Sequence, residues 1–166
     1  MIFIDQATVK DIPVIQEIAH TTWYPTFENI LSKEQIGYML EMMYSTQSLL
    51  KQIEFKKHKF YLAKDNNRVL GFISIELNYQ NQSIAKIHKI YILPSAQGKG
   101  IGKILMKKAE ELALENHQTS ITLNVNRFNQ ALNFYTRLGY ENIKSEDIDI
   151  GNGYLMEDFV LEKKLL

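Results

Sequence analysis

The stretch Gln97-Gly98-Lys99-Gly100-Ile101-Gly102 constrains this chain most. It follows a β-branched run from Ile87 to Leu93, closed by Pro94, and opens directly into a segment of helical period. Strand, glycine turn and helix start together make a phosphate cradle. Glycines let the backbone turn with its N–H groups inward, and the new helix adds roughly +0.5 of a charge at its N-terminus. The spacing narrows the ligand. A Walker loop needs a Gly-Lys pair followed by Ser or Thr, and here Lys99 precedes Gly100 and Lys103 precedes Ile104, which speaks against nucleoside triphosphate hydrolysis. A dinucleotide fingerprint needs G-x-G-x-x-G in an early βαβ unit, whereas these glycines stand at 98, 100 and 102, past the midpoint. A tight connection with no ligand is the plain alternative.

The chain has 166 residues, a length that suits one domain, residues 1–166, with a substantial core and no linker. Lys+Arg and Asp+Glu both number 19, so no global field favours nucleic acid. Cysteine is absent, which excludes disulfides, thiolate metal sites and a cysteine nucleophile. No apolar run approaches a membrane span, and Met1 to Asp5 lacks a basic region followed by an apolar core. The expected setting is cytoplasmic, without membrane or nucleic-acid partners.

Periodicity and caps give the order β-α-α-β-β-β-α-β-α-β-β. Ile2 to Ala7 reads as a strand. Asp11 caps a helix from Ile12 to about Thr22 with Pro13 in its first turn. Trp23-Tyr24-Pro25-Thr26-Phe27 then reads as an aromatic connection that Pro25 keeps out of the helix. Ser32 and Gln35 form a capping-box signature for a second helix carrying Ile36, Met39, Leu40 and Met43, and Ser48 to Lys57 is a third, short one. Lys59 to Lys64 and Arg68 to Leu77 flank Asp65-Asn66-Asn67 as a hairpin; Ile84 to Leu93 is a long strand, and an apolar stripe runs from Ile101 to about His117. Thr119 to Val125, Asn129 to Leu138 and the pair Tyr140 to Ile150 and Tyr154 to Lys164 complete the series as strand, helix and final hairpin.

Two motifs stand out of this order. The first is Q-x-x-G-x-G at Gln97, Gly100 and Gly102; the second is N-x-A-x-x-F-Y-x-x-x-G-Y, from Asn129 and Ala131 through Phe134-Tyr135 to Gly139-Tyr140. Separated by one helix and one strand, the pair resembles the GNAT superfamily of N-acetyltransferases, and the element order extends the resemblance over nearly the whole chain. Within the superfamily, the segment Thr22 to Phe27 and the ending from Tyr154 look similar to bacterial polyamine acetyltransferases. The resemblance implies an α/β fold with a mixed, mostly antiparallel central sheet, splayed at the coenzyme A site and flanked by helices. It implies acetyl transfer from acetyl-CoA to a primary amine by direct attack. A protein N-terminus or lysine is the alternative acceptor, a non-catalytic acyl-CoA sensor is the alternative class, and the oligomeric state stays open, a homodimer included.

Acetyl transfer has four demands. The resemblance places pantetheine along Tyr91, Ile92 and Leu93, the pyrophosphate on Gln97, Gly98, Lys99, Gly100, Ile101, Gly102 and Lys103, and Asn129 beside the arm. A backbone N–H near Ile92 suits the oxyanion. The departing thiolate, of pKa about 8.5, needs a proton, and a tyrosine near 10 supplies it about 1.5 units uphill, roughly 2 kcal/mol. Tyr135 fills that role by the resemblance, although Phe128, Ala131, Leu132, Tyr135 and Leu138 share one helical face and spacing alone reads it as core. The ammonium acceptor must lose a proton, and His88, four residues before Ile92 and on its face by the period of two, is the candidate base; an exposed or hydrogen-bonded strand histidine is the plainer reading. Trp23, Tyr24 and Phe27 are expected to line the acceptor pocket, and Glu28, Glu34, Glu41 and Glu76 to offer either an anionic lining or a solvated surface. Lys107 and Lys108 read equally as phosphate contacts or as a solvated helix face. No metal is expected, since no His, Asp and Glu grouping shows ligand spacing and His20, His58 and His117 lack placement.

Overall fold

A computed structural model describes residues 1–166. Its strands are β1 (Ile2–Gln6), β2 (Lys59–Asp65), β3 (Arg68–Glu76), β4 (Ile84–Ile92), β5 (Ser120–Asn126), β6 (Glu141–Gly151) and β7 (Tyr154–Lys164). Its helices are α1 (Ile12–Phe27), α2 (Lys33–Tyr44), α3 (Thr46–Glu54), α4 (Ile101–Glu115) and α5 (Leu132–Arg137). The strands form one sheet in the order β1-β2-β3-β4-β5-β7-β6. Every neighbouring pair is antiparallel except β4 and β5, which run parallel because α4 crosses between them. One face packs on α4 through Ile73, Ile75, Ile87, Leu105, Ala109 and Leu123, and the other on α1 to α3 through Ile15, Ile36, Leu40, Leu49, Phe60 and Phe72.

Two departures from the sequence reading shape the site. α1 does not stop before Pro25 but runs through it to Phe27. A proline this close to a helix end forfeits one backbone bond, and burying Trp23 and Phe27 on the sheet outweighs that loss. Asp11 does not cap α1 with its side chain: its carboxylate accepts the Thr8 N–H at 2.8 Å, closing a capping box on the preceding 3-10 turn. The Ser32 box is only half made. Ser32 Oγ accepts the Gln35 N–H at 3.1 Å, but the Gln35 amide donates to the Leu155 carbonyl at 2.9 Å, which ties α2 to β7.

The second departure lies within β4. Ile75 pairs with Ile87 and Ser74 with Lys89, so His88 is an extra residue on β4 and the ladder bulges there. The bulge resets the alternation of side chains. Beyond it Ile90 and Ile92 join Ile87 on the α4 face, while Tyr91 packs among α1 to α3 and Lys89 lies over Tyr44 and Phe60. His88 stacks on His58 at 4.1 Å, on the side of Lys89 and Tyr91. It therefore does not share a face with Ile92; the period of two fails where the strand carries its extra residue.

Candidate functional site

The parallel ladder of β4 and β5 extends only from Ile84↔Ser120 to Ile87↔Leu123. Past that point the strands part, leaving His88 to Ile92 and Asn124 to Asn126 as facing edges. Leu93 donates its N–H to Leu70 on β3, so by antiparallel alternation the Ile90 and Ile92 N–H groups point toward the gap. The gap opens a cavity of about 940 Å³, walled by both strand edges, the turn from Ala96 to Lys103, the segment from Phe128 to Tyr135, and the C-terminal end of α1 with the loop after it. That size is within the range of small-molecule and cofactor sites.

The glycine turn forms the mouth. Gly98 and Gly100 adopt φ of +80° and +77°, where a Cβ is disfavoured, and Gly100 is the N-cap of α4. A Cβ at Gly102 would stand 3.0 Å from Ile92 Cδ1 and 3.2 Å from Phe134, so only glycine admits this close packing without movement. The backbone N–H groups from Gly98 through Lys103 have no acceptor within the chain. Consecutive unsatisfied amides at a helix N-terminus can hold an anion the size of a diphosphate, and the open strand edge beside them offers the donors and acceptors of a missing strand.

Of the cofactor residues expected from the sequence, Tyr91, Ile92, Gln97, Gly98, Gly100, Ile101, Gly102, Lys103 and Asn129 line this cavity. Leu93 and Lys99 do not: Leu93 is packed between the two cores, and Lys99 is exposed beside the turn. The Gln97 amide donates to the Ile92 carbonyl at 3.2 Å, so its side chain braces the turn against β4. Asn129 Oδ1 accepts the Ala131 N–H at 2.9 Å, which leaves its amide nitrogen for a ligand. Lys108 lies over the Tyr61 ring at 5.2 Å, on the sheet side of α4, and Lys107 is exposed.

Tyr135 and His88 both border the cavity. The Tyr135 ring is buried against Phe134 and Tyr140, at 5.3 and 6.3 Å, yet its hydroxyl makes no hydrogen bond within the chain and is not sealed off. Spacing alone implied a core tyrosine with a satisfied hydroxyl; here the ring is core and the hydroxyl is free. Burial pushes its phenol well above the usual 10, and the Tyr91 phenol still further, with Tyr135 and Asp158 nearby.

A smaller cavity of about 100 Å³ adjoins the first, sharing Phe27, His88, Lys89, Tyr91, Asn124 and Asn126. Trp23 and Phe27 line it, whereas Tyr24 lines neither cavity: its hydroxyl lies over Gly37 of α2, because α1 continues and turns residue 24 outward. Glu28, Glu34 and Glu41 are exposed and border neither cavity. The acidic residue that does is Asp158, 4% exposed, which accepts from Asn124 at 3.2 Å and whose carboxyl burial pushes up.

Glu76 has a different part. Its Oε1 lies 2.9 Å from His88 Nε2 and 3.2 Å from His58 Nε2, a grouping the sequence reading missed. The three donor atoms lie within 4.8 Å of one another, as metal ligands do. Lys56, Lys86 and Lys89 surround them, however, and the field that, after burial, pushes both imidazoles below their usual 6.5 also repels a dication. Lys89 itself is buried, donates to Gln52 Oε1 at 2.7 Å, and is lowered to about 7, chiefly by burial.

The acetyltransferase (GNAT) domain family matches residues 28–157. An uncharacterised N-acetyltransferase of Lactobacillus delbrueckii subsp. lactis is 30% identical over 97% of this chain and 96% of its own. Spermidine N(1)-acetyltransferase of Thermoplasma acidophilum is 28% identical over 97% and 96%. The crystal structure of the PaiA N-acetyltransferase from Thermoplasma acidophilum in complex with coenzyme A superposes with a TM-score of 0.83, at 28% identity and over 99% of both chains.

Proposed function

The chain belongs to the GNAT acetyltransferase family, an N-acetyltransferase using acetyl-CoA, and from that premise we propose that its acceptor is a small primary amine, acetylated by direct attack. The observation that carries this is how the acceptor side is closed. A peptide would need an open groove between the first helices and the last hairpin. There the Tyr38 hydroxyl donates to the Ile150 carbonyl at 2.6 Å, Gln35 donates to Leu155, and the Tyr38 and Tyr154 rings meet at 5.3 Å. What remains is the cavity of about 100 Å³. Polyamines are the class to test first, because a spermidine acetyltransferase is among the relatives and Asp158 offers a buried carboxylate to a second ammonium.

Bound acetyl-CoA supplies the acyl thioester. The amides from Gly98 to Lys103 would hold its diphosphate and the β4 edge its pantetheine, with the Ile92 N–H turned toward the oxyanion. His88 takes the proton of the acceptor's ammonium, freeing the lone pair that attacks the carbonyl carbon. As the C–S bond breaks, Tyr135 protonates the sulfur. The second proton lost from the attacking nitrogen restores the phenol, so one proton leaves to solvent per amide formed.

The acceptor is tested by coenzyme A release with polyamines, amino acids, aminoglycosides and short peptides. Turnover is expected with small amines and is overturned as a reading by turnover on peptides alone. The cradle has its own test. Alanine at Gly100 meets no neighbour, so its effect is backbone strain of about 1–2 kcal/mol. Gly100→Ala is expected to weaken acetyl-CoA binding roughly tenfold by calorimetry, with an unchanged circular dichroism spectrum. Full affinity would remove the turn from the binding site.

A further inference from the structure

His88 is an odd base when considered alone. It is partly buried, with 19% of its side chain exposed, His58 stacks on its ring at 4.1 Å with planes 10° apart, and Lys56, Lys86 and Lys89 all oppose a positive charge on it. Tyr79 meets its ring edge-on, and Asp158 stands across the shared cavity. Among these groups Glu76 is the one carboxylate in contact. Without it, an imidazolium at this position would face Lys56, Lys86 and, where it is protonated, Lys89 in a low-dielectric setting, and a proton acceptor that cannot hold a proton does not catalyse.

The geometry also fixes which nitrogen works. His88 Nε2 and His58 Nε2 converge on the same Glu76 oxygen, at 2.9 and 3.2 Å. A carboxylate oxygen accepts two hydrogen bonds, so both imidazoles sit there as neutral Nε2–H donors. His88 Nδ1 then carries the lone pair. It has no partner in the chain and, unlike His58 Nδ1, is not sealed from solvent. The bulge turns this ring to the side of Lys89 and Tyr91, where the two cavities meet.

We propose that Glu76 is a positioning residue for acetyl transfer: it holds His88 in the Nε2–H tautomer, leaves Nδ1 to take the acceptor's proton, and balances the imidazolium so formed. His58, stacked on the same ring and bonded to the same oxygen, keeps the His88 plane in place. The arrangement has the logic of an acid–histidine pair, in which the carboxylate orients and stabilises but is not itself protonated. The proposal rests on the reading of His88 as base.

The test uses the full chain with acetyl-CoA and whichever amine turns over. In the wild type, long-range nitrogen-15 spectra are expected to show His88 protonated on Nε2 and bare on Nδ1; the opposite tautomer overturns the proposal without any variant. Glu76→Gln is expected to lower kcat roughly 10- to 100-fold, to shift the acid limb of the kcat/KM profile to lower pH because the imidazolium loses its counter-charge, and to leave KM for acetyl-CoA unchanged. Glu76→Asp, which keeps the charge, is expected to recover part of kcat. If Glu76→Gln keeps kcat and the tautomer while His88→Gln loses activity, the positioning role is wrong and the base stands. If His88→Gln keeps full activity, the base reading fails and takes the proposal with it.

Discussion

Tyr135→Phe is expected to lower turnover roughly 10²- to 10³-fold while acetyl-CoA affinity stays within about twofold. The variant isolates one atom. The ring packs against Phe134 and Tyr140, and phenylalanine keeps both contacts. The hydroxyl bonds to nothing in the chain, so removing it orphans no partner and the melting temperature should not fall. What goes is the proton for the leaving sulfur. With ordinary pKa values the transfer is uphill by about 1.5 units. Burial raises this phenol, but it raises a thiol in the same pocket too, since both ionise to anions. The gap between them, and not the phenol's value alone, sets the cost. A second consequence concerns pH: a phenol raised this far does not ionise below pH 10, so Tyr135 should impose no basic limb on the rate up to that point. Coenzyme A release measures the first effect and calorimetry the control. Turnover within about threefold of wild type would pass the role to another donor, and the neighbouring Tyr91 phenol would be the next to replace.

The reasons Tyr135 could be singled out differ from the reasons Glu76 could not. The motif around Tyr135 is local: residues Asn129 to Tyr140 sit on one turn and one short helix, so sequence spacing is nearly spatial spacing. The glycine turn was legible likewise, because φ near +80° at Gly98 and Gly100 is a local demand. Glu76 and His58 belong to a hairpin. The pairing Lys59↔Ile75 puts His58 opposite Glu76, but a bulge between Ala63 and Lys64 shifts the register by one, so counting back from the turn at Asp65-Asn66-Asn67 sets His58 against Ile75 instead. The contact was therefore hidden by an extra residue on β3 that no turn signal announces. The placement of His88 was hidden in the same way, because the bulge that turns it is set by how β4 meets β3 and leaves no turn residue to announce it. Pro25 failed as a helix stop for a tertiary reason: the sheet offers Trp23 and Phe27 a core that a loop would forgo. The bonds that close the acceptor side, from Tyr38 and Gln35 to the last hairpin, span 112 and 120 residues and have no local signature.

Lys89→Met should stabilise the protein at pH 7 by about 1–3 kcal/mol, and the gain should vanish as pH rises toward 10. Lys89 is 8% exposed, and its ammonium has one hydrogen bond, to Gln52 Oε1 at 2.7 Å, with the Tyr44 and Phe60 rings at 5.5 and 5.8 Å. Burial, with Lys56 nearby, lowers it from 10.5 to about 7. Between those values the unfolded chain binds a proton that the folded chain does not, so the folded state gains stability as pH rises from about 7 to about 10.5 and loses it as pH falls. Three to four pKa units correspond to about 4–5 kcal/mol of this dependence. Methionine fills the same volume, suits the two rings and does not titrate. Its cost is the Gln52 oxygen left without a donor, about 1–3 kcal/mol, while the amide nitrogen keeps its bonds to the Met43 carbonyl and to Ser48 and holds the side chain where it is. Urea midpoints at pH 7 and pH 9.5 decide the matter. The wild type should gain stability between them and the variant should not. A variant that tracks the wild type at both values would mean that Lys89 keeps its proton in the fold, held by more than Gln52 and the rings around it.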